Sequence, residues 1–125
     1  PDLAGRGWRA HADTVNRLAA HLVGLGVRPV RAGPEGPQFD CAWARPGRGW
    51  AVAEVKSITD ANEADQIRRG IGQVIDYRHA LAEITGDEVT AVLVVEAPPS
   101  QRWVEVCVQA DIVLTWPTDF DRLPS

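Results

Sequence analysis

Apolar residues recur at helical spacing from 8 to 25: Trp8, Ala12, Val15, Leu18, Ala19 and Leu22 fall on one stripe, and Gly24 and Gly26 end the run. Residues 27–32 read as a short strand. Gly33-Pro-Glu-Gly-Pro37 is a turn by composition, and 38–44 is a second strand. A tight loop, 45–49, leads into a third strand at 50–58. Asp60 or Asn62 can cap a long helix reaching Thr85, with an apolar stripe of Ile67, Ile71, Val74, Ile75 and Leu81. Residues 89–96 form a continuous apolar strand, the pattern of a sheet centre covered on both faces. Pro98-Pro99 breaks it, Ser100 caps a short helix, and 111–116 is the last strand. The order αβββαβαβ predicts an α/β fold: a central mixed sheet of four to five strands flanked by helices. One domain over 1–117 is expected, followed by an acidic, loosely held tail at 118–125.

The hairpin loop carries a specific expectation. With 45–49 as the connection, Ala44 faces Trp50, Ala42 faces Val52, and Asp40 faces Glu54. Directly opposed residues point to one side of the sheet with Cβ atoms about 5 Å apart. Lys56, two residues beyond Glu54, shares that side. Opposed like charges destabilise a hairpin and raise the pKa of one carboxyl. A divalent cation reverses that cost, and Mg²⁺ accepts one or two carboxylates with water and substrate phosphate. The alternative is a solvated, salt-bridged strand face.

Composition sharpens this picture at one residue. Lys56 is the single lysine; the other twelve of the 13 basic residues are arginine. Lysine offers a compact ammonium whose pKa responds to its surroundings, whereas arginine is a broad fork that stays charged. On the long helix, Arg69, Gln73 and Tyr77 share a polar face, and Gly70 and Gly72 allow another backbone to approach.

A net charge of −4 over 125 residues argues against nonspecific coating of nucleic acid, while leaving room for a local arginine-lined groove. Cys41 and Cys107 lie in apolar segments without metal-type spacing and read as reduced core thiols of a cytoplasmic protein. No apolar run approaches transmembrane length, so no membrane partner is expected. The chain contains no methionine and reads as a piece of a longer polypeptide. His11, His21 and His79 lack zinc spacing, and His11 and His21 read as helix-surface residues. The tryptophans read as core and rim residues.

Asp40, the Glu54-x-Lys56 triplet and Gln73 resemble the motif of the PD-(D/E)xK nuclease superfamily, whose fold is restriction-endonuclease-like. The run Gly70-Ile-Gly-Gln-Val-Ile-Asp-Tyr77 looks like the glutamine-bearing helix of its Mrr-like and Holliday-junction-resolvase-like branches. The resemblance implies a Mg²⁺-dependent endonuclease acting on DNA, with Mn²⁺ able to substitute. Asp40, Glu54 and the Val55 carbonyl would hold the ion. Lys56 and Gln73 would serve the attacking water and the phosphate. Arg68, Arg69 and Tyr77 would contact the sugar-phosphate backbone. Many members carry an acid on the first helix; Asp13 is the candidate here. The resemblance equally admits a non-catalytic scaffold that binds nucleic acid or a partner protein. It also admits a homodimeric junction resolvase, or a nuclease with a separate recognition domain.

Overall fold

A computed structural model describes residues 3–125, with side chains from Gly5 onward. Helix α1 (Leu3–Gly24) leads into β1 (Cys41–Arg45) and β2 (Gly49–Lys56). Helix α2 (Glu63–Thr85), β3 (Val89–Val95), α3 (Gln101–Gln109) and β4 (Ile112–Thr115) follow, and a 3₁₀ turn spans Pro117–Arg122. The sheet order is β1-β2-β3-β4. β1 and β2 are antiparallel, while β2, β3 and β4 run parallel. The architecture is α/β, a four-stranded mixed sheet between helices with a restriction-endonuclease-like order.

The predicted strand at 27–32 does not form. Its remnant is a single antiparallel bridge, Val30 to Ala42. Val30 exchanges both of its backbone hydrogen bonds with Ala42, so Pro29 beside it turns its N–H-less nitrogen away from β1, and the segment guards the outer edge of β1 without extending the sheet.

Strand alternation splits the core into two layers. Cys41, Trp43, Ala51, Ala53, Val55, Val92 and Val94 pack against Val15, Leu18 and Leu22 of α1 and against Phe120 and Leu123. Ala42, Val52, Ala91, Leu93, Ile112 and Leu114 pack against Ile67, Val74 and Leu81 of α2 and Trp103 and Cys107 of α3. Residues 118–125 are therefore not a loose tail. Phe120 and Leu123 are buried, and Trp43 Nε1 donates to the Pro124 carbonyl at 2.7 Å. Arg122 Nη1 donates to the Leu114 carbonyl at 3.0 Å, which blunts the edge at β4.

Two helical stripes differ from expectation. Trp8 stands 76% exposed, and the buried row of α1 begins further along the chain. On α2 the buried row is Ile67, Gly70, Val74 and Leu81, with Ile75 at the surface. The row is rotated towards Gly70, whose missing side chain hid it in the sequence. Gly86, in the left-handed conformation that favours glycine, closes α2. Among the described residues, no helix is long and apolar enough to cross a membrane.

Candidate functional site

The hairpin takes the register its loop predicts: Ala44 pairs with Trp50 and Ala42 with Val52. Gly49, at φ 88°, makes this hairpin possible, since a Cβ there would strike the Glu88 carbonyl oxygen. One residue before β1 the chain bends at Asp40, whose N–H still bonds the Ala53 carbonyl at 3.2 Å. Asp40 Oδ2 turns back across the pair and accepts the Val55 N–H at 2.8 Å. The two carboxyls, Asp40 and Glu54, are hydrogen-bonded neighbours.

Glu54 is only 6% exposed. Its Oε2 lies 3.5 Å from Lys56 Nζ, and its Oε1 is buried without a partner. Burial pushes Glu54 up to about 8. The hydrogen bond and charge of Asp40 push the same way, and the Lys56 ammonium offsets part of the rise. Asp40 moves oppositely. Burial alone would raise it, but bonds with His11, Glu54 and the Val55 amide, with the His11 charge, hold it below its ordinary value. The pair thus shares one proton near neutrality, carried on Glu54.

Helix α2 closes over this pair. A Cβ on Gly70 would sit 2.5 Å from Leu93 Cδ1 and 3.2 Å from Lys56 Cγ, so glycine lets the helix lie close over Leu93 and the Lys56 stem. Gly72 is different: a Cβ there would meet nothing within 4 Å. Gln73 is half-buried with Oε1 unpartnered. Tyr77, one turn on, is raised first by burial and then by the charges of Glu54, Asp40 and Asp76, which places its hydroxyl within reach of the acidic pair's field. Arg69 is exposed at the outer end of the same row. Arg68 instead stacks its guanidinium over the Trp103 ring at 5.3 Å.

The chain just beyond Lys56 is pinned by three side chains, one from the end of β3 and two from the start of α2. Ile58 N–H donates to Glu96 Oε1 at 2.7 Å, Gln66 Nε2 to the Ser57 carbonyl at 3.0 Å, and Thr59 N–H to Asn62 Oδ1 at 2.6 Å. Arg6 grips Glu96 with both guanidinium nitrogens, at 2.9 and 3.0 Å, and so ties α1 to the end of β3. A cavity of about 280 Å³ opens beside this staple, lined by Arg6, Gly7, Thr59, Ala61 and Asn62. None of the carboxylate-site residues lines it.

On the first helix the residue nearest the pair differs from the acid the sequence offered. Asp13 is exposed. It is His11, read from sequence as a surface residue, whose Nε2 lies 3.2 Å from Asp40 Oδ2. The signal was available in the register: 11 precedes 15, 18 and 22 on the stripe that packs against the sheet.

The donors suit a hard, water-retaining cation. Glu54 Oε1 is an orphaned buried oxygen, and Asp40 is its neighbour. The N–H and C=O of one strand residue face the same edge, so the Val55 carbonyl opens on the side where its N–H meets Asp40. Among the described residues no three His, Cys, Asp or Glu side chains gather into a metal centre of their own. Mg²⁺ takes one or two carboxylates and keeps several waters, a set that Asp40 and Glu54 could supply.

No family model and no curated protein matches this sequence. A solved structure does: an XisH family protein from Nostoc punctiforme PCC 73102 superposes with a TM-score of 0.61 over 84% of this chain and 91% of that one, at 18% identity. At that identity the likeness concerns the fold alone.

Proposed function

We propose that this protein is a metal-dependent deoxyribonuclease of the PD-(D/E)xK type, hydrolysing DNA phosphodiester bonds with Mg²⁺ or, in its place, Mn²⁺. The observation that carries the reading is a pair of carboxyls, Glu54 buried on β2 and Asp40 half-buried just before β1; Glu54 Oε1 has no partner, and the chain's single ammonium lies 3.5 Å from Glu54 Oε2. Buried polar atoms are nearly always satisfied, so the orphaned oxygen awaits a ligand that the polypeptide does not provide.

Asp40, Glu54 and the Val55 carbonyl would hold the ion. Bound there, it supplies Lewis-acid polarisation of the scissile phosphate and a lowered pKa for a coordinated water. Lys56 orients the attacking water and steadies the charge growing on the phosphate. Held under Gly70 with its stem packed, it has little freedom to wander. Gln73 offers its amide to that water or to a phosphate oxygen. Arg69 and Tyr77, along the same helix row, contact the sugar-phosphate backbone and set the duplex's position without reading its sequence. Arg68, engaged with Trp103, contributes to this positive rim.

The test is cleavage of supercoiled plasmid DNA with Mg²⁺ or Mn²⁺, with chelator as control. Activity should disappear in Asp40→Ala and in Lys56→Ala while circular dichroism shows both folded. Robust cleavage by both variants rejects the site. The absence of an acid beside Asp40 on α1 favours a second reading, a nuclease-fold scaffold that binds nucleic acid without cutting it. Calorimetric titration with Mn²⁺ separates the two, since a scaffold has no need to bind an ion at Asp40 and Glu54.

A further inference from the structure

His11 lies on the row of α1 that packs against the sheet, one turn before Val15 and two before Leu18. Its ring meets Asp40 Oδ2, and the same oxygen accepts the Val55 N–H. A carboxylate oxygen has two lone-pair sites. Both sites of Oδ2 are therefore taken, one by the backbone of β2 and one by a side chain of α1, which leaves Oδ1 for a cation. The terminal torsion of an aspartate is broad and roughly two-fold, so an unheld carboxylate would swivel. Two donors from two elements fix its plane.

We propose that His11 is a positioning residue of the acidic centre: by donating Nε2–H to Asp40 Oδ2, it joins the Val55 amide in presenting Oδ1 to the ion. It is a donor to a ligand and is not itself a ligand, in keeping with the absence of any three-membered His, Cys, Asp or Glu cluster among the described residues. Hydrogen-bond partners of metal ligands govern affinity, and their loss typically costs about 10–100-fold. The inference rests on the cation-site reading of Asp40 and Glu54.

Calorimetric titration of the full chain with Mn²⁺, joined to pulsed electron paramagnetic resonance of the bound ion, tests it. His11→Ala and His11→Leu, which offer no side-chain N–H, should weaken Mn²⁺ binding by about 10–100-fold. His11→Gln, which offers one, should recover most of the loss. Mn²⁺ on the wild-type chain should show no directly bound imidazole nitrogen. Unchanged affinity in the two non-donor variants overturns the proposal, as does a glutamine variant no better than alanine. An imidazole coupling to Mn²⁺ also overturns it, by making His11 a ligand. These outcomes leave the cation site standing. A wild-type chain that binds no Mn²⁺ fails differently, taking the cation site and this inference down together.

Discussion

β2 has two faces that are almost equally buried and chemically opposed. Ala51, Ala53 and Val55 look towards α1 and meet only hydrocarbon. Val52, Glu54 and Lys56 look towards α2, and there the strand passes from a valine at 0% exposure to a carboxyl at 6%. The α1 face is packed for stability, each buried side chain contributing about 1.5–3 kcal/mol. At Glu54 the α2 face works against stability, because a buried acid beside a second acid favours unfolding once it ionises. Valine at 54 would have continued the pattern of 52 and 55. An acid kept in so buried a place coincides with the proposed cation site, in keeping with the usual conflict between stability and activity at functional sites.

The sharpest test of this division is to remove one group from each face. Lys56→Ala should lower DNA cleavage by about 10²–10³-fold, the usual loss when one group stabilising transition-state charge is deleted. Lys56→Arg should not restore it, because a broad guanidinium does not replace the compact ammonium set 3.5 Å from Glu54 Oε2. Thermal unfolding should move little, since without the ammonium Glu54 simply keeps its proton. Leu18→Ala, on the α1 face, should do the reverse. Leu18 is fully buried, so the cavity should cost about 2–5 kcal/mol in urea unfolding while the folded protein binds Mn²⁺ as before. A Leu18 variant that lost ion affinity would show the two faces to be one unit.

The sequence revealed the hairpin register better than it revealed the frame around it. Register was legible because a five-residue loop between Ala44 and Trp50 leaves little choice of pairing, and β3 because a run apolar but for Thr90 suits a strand covered on both sides. Three features escaped for separate reasons. The run 27–32 meets β1 at Val30 alone, a contact too short to make a strand. The tail looked acidic, yet Phe120 and Leu123 fall three apart, the repeat that puts side chains on one side of a 3₁₀ turn and, here, against α1. His11 was judged by residue type when its place in the 11, 15, 18, 22 row was the informative quantity. In each case one position within a segment outweighed the segment's average character.

The pH dependence separates the faces more gently. Glu54 is raised from 4.5 to about 8, so the folded state holds its proton more tightly than the unfolded chain does. Its contribution is complete below the ordinary carboxylate value and is lost as pH climbs through about 8. Stability should therefore decline between about pH 4.5 and 8, by on the order of 4–5 kcal/mol, and Glu54→Gln should flatten that limb. Asp40, lowered from 3.8, acts at the acid end: its contribution is present above that value and lost on further acidification. At pH 7, Mn²⁺ must displace the shared proton. Titration in buffers of different ionisation enthalpy should record release of about 0.9 proton per ion in the wild type, and much less in Glu54→Gln. Proton-free binding would place the ion elsewhere.

Two glycines on α2, two residues apart, give the finest version of the comparison. Alanine favours a helix over glycine by about 1 kcal/mol at either position. At Gly70 the new methyl would press on Leu93 Cδ1 and the Lys56 stem. Overpacking of that kind costs about 1–3 kcal/mol, so Gly70→Ala should destabilise on balance and, by displacing Lys56, slow cleavage as well. Gly72 is exposed, and its methyl would meet nothing. Gly72→Ala should therefore gain about 0.5–1 kcal/mol in thermal or urea unfolding, with Mn²⁺ affinity and cleavage unchanged. Loss of activity on Gly72→Ala would mean that the helix meets DNA along its outer face and that the working surface extends beyond the carboxyl pair. A stability gain without loss confines the chemistry to the face beneath Gly70.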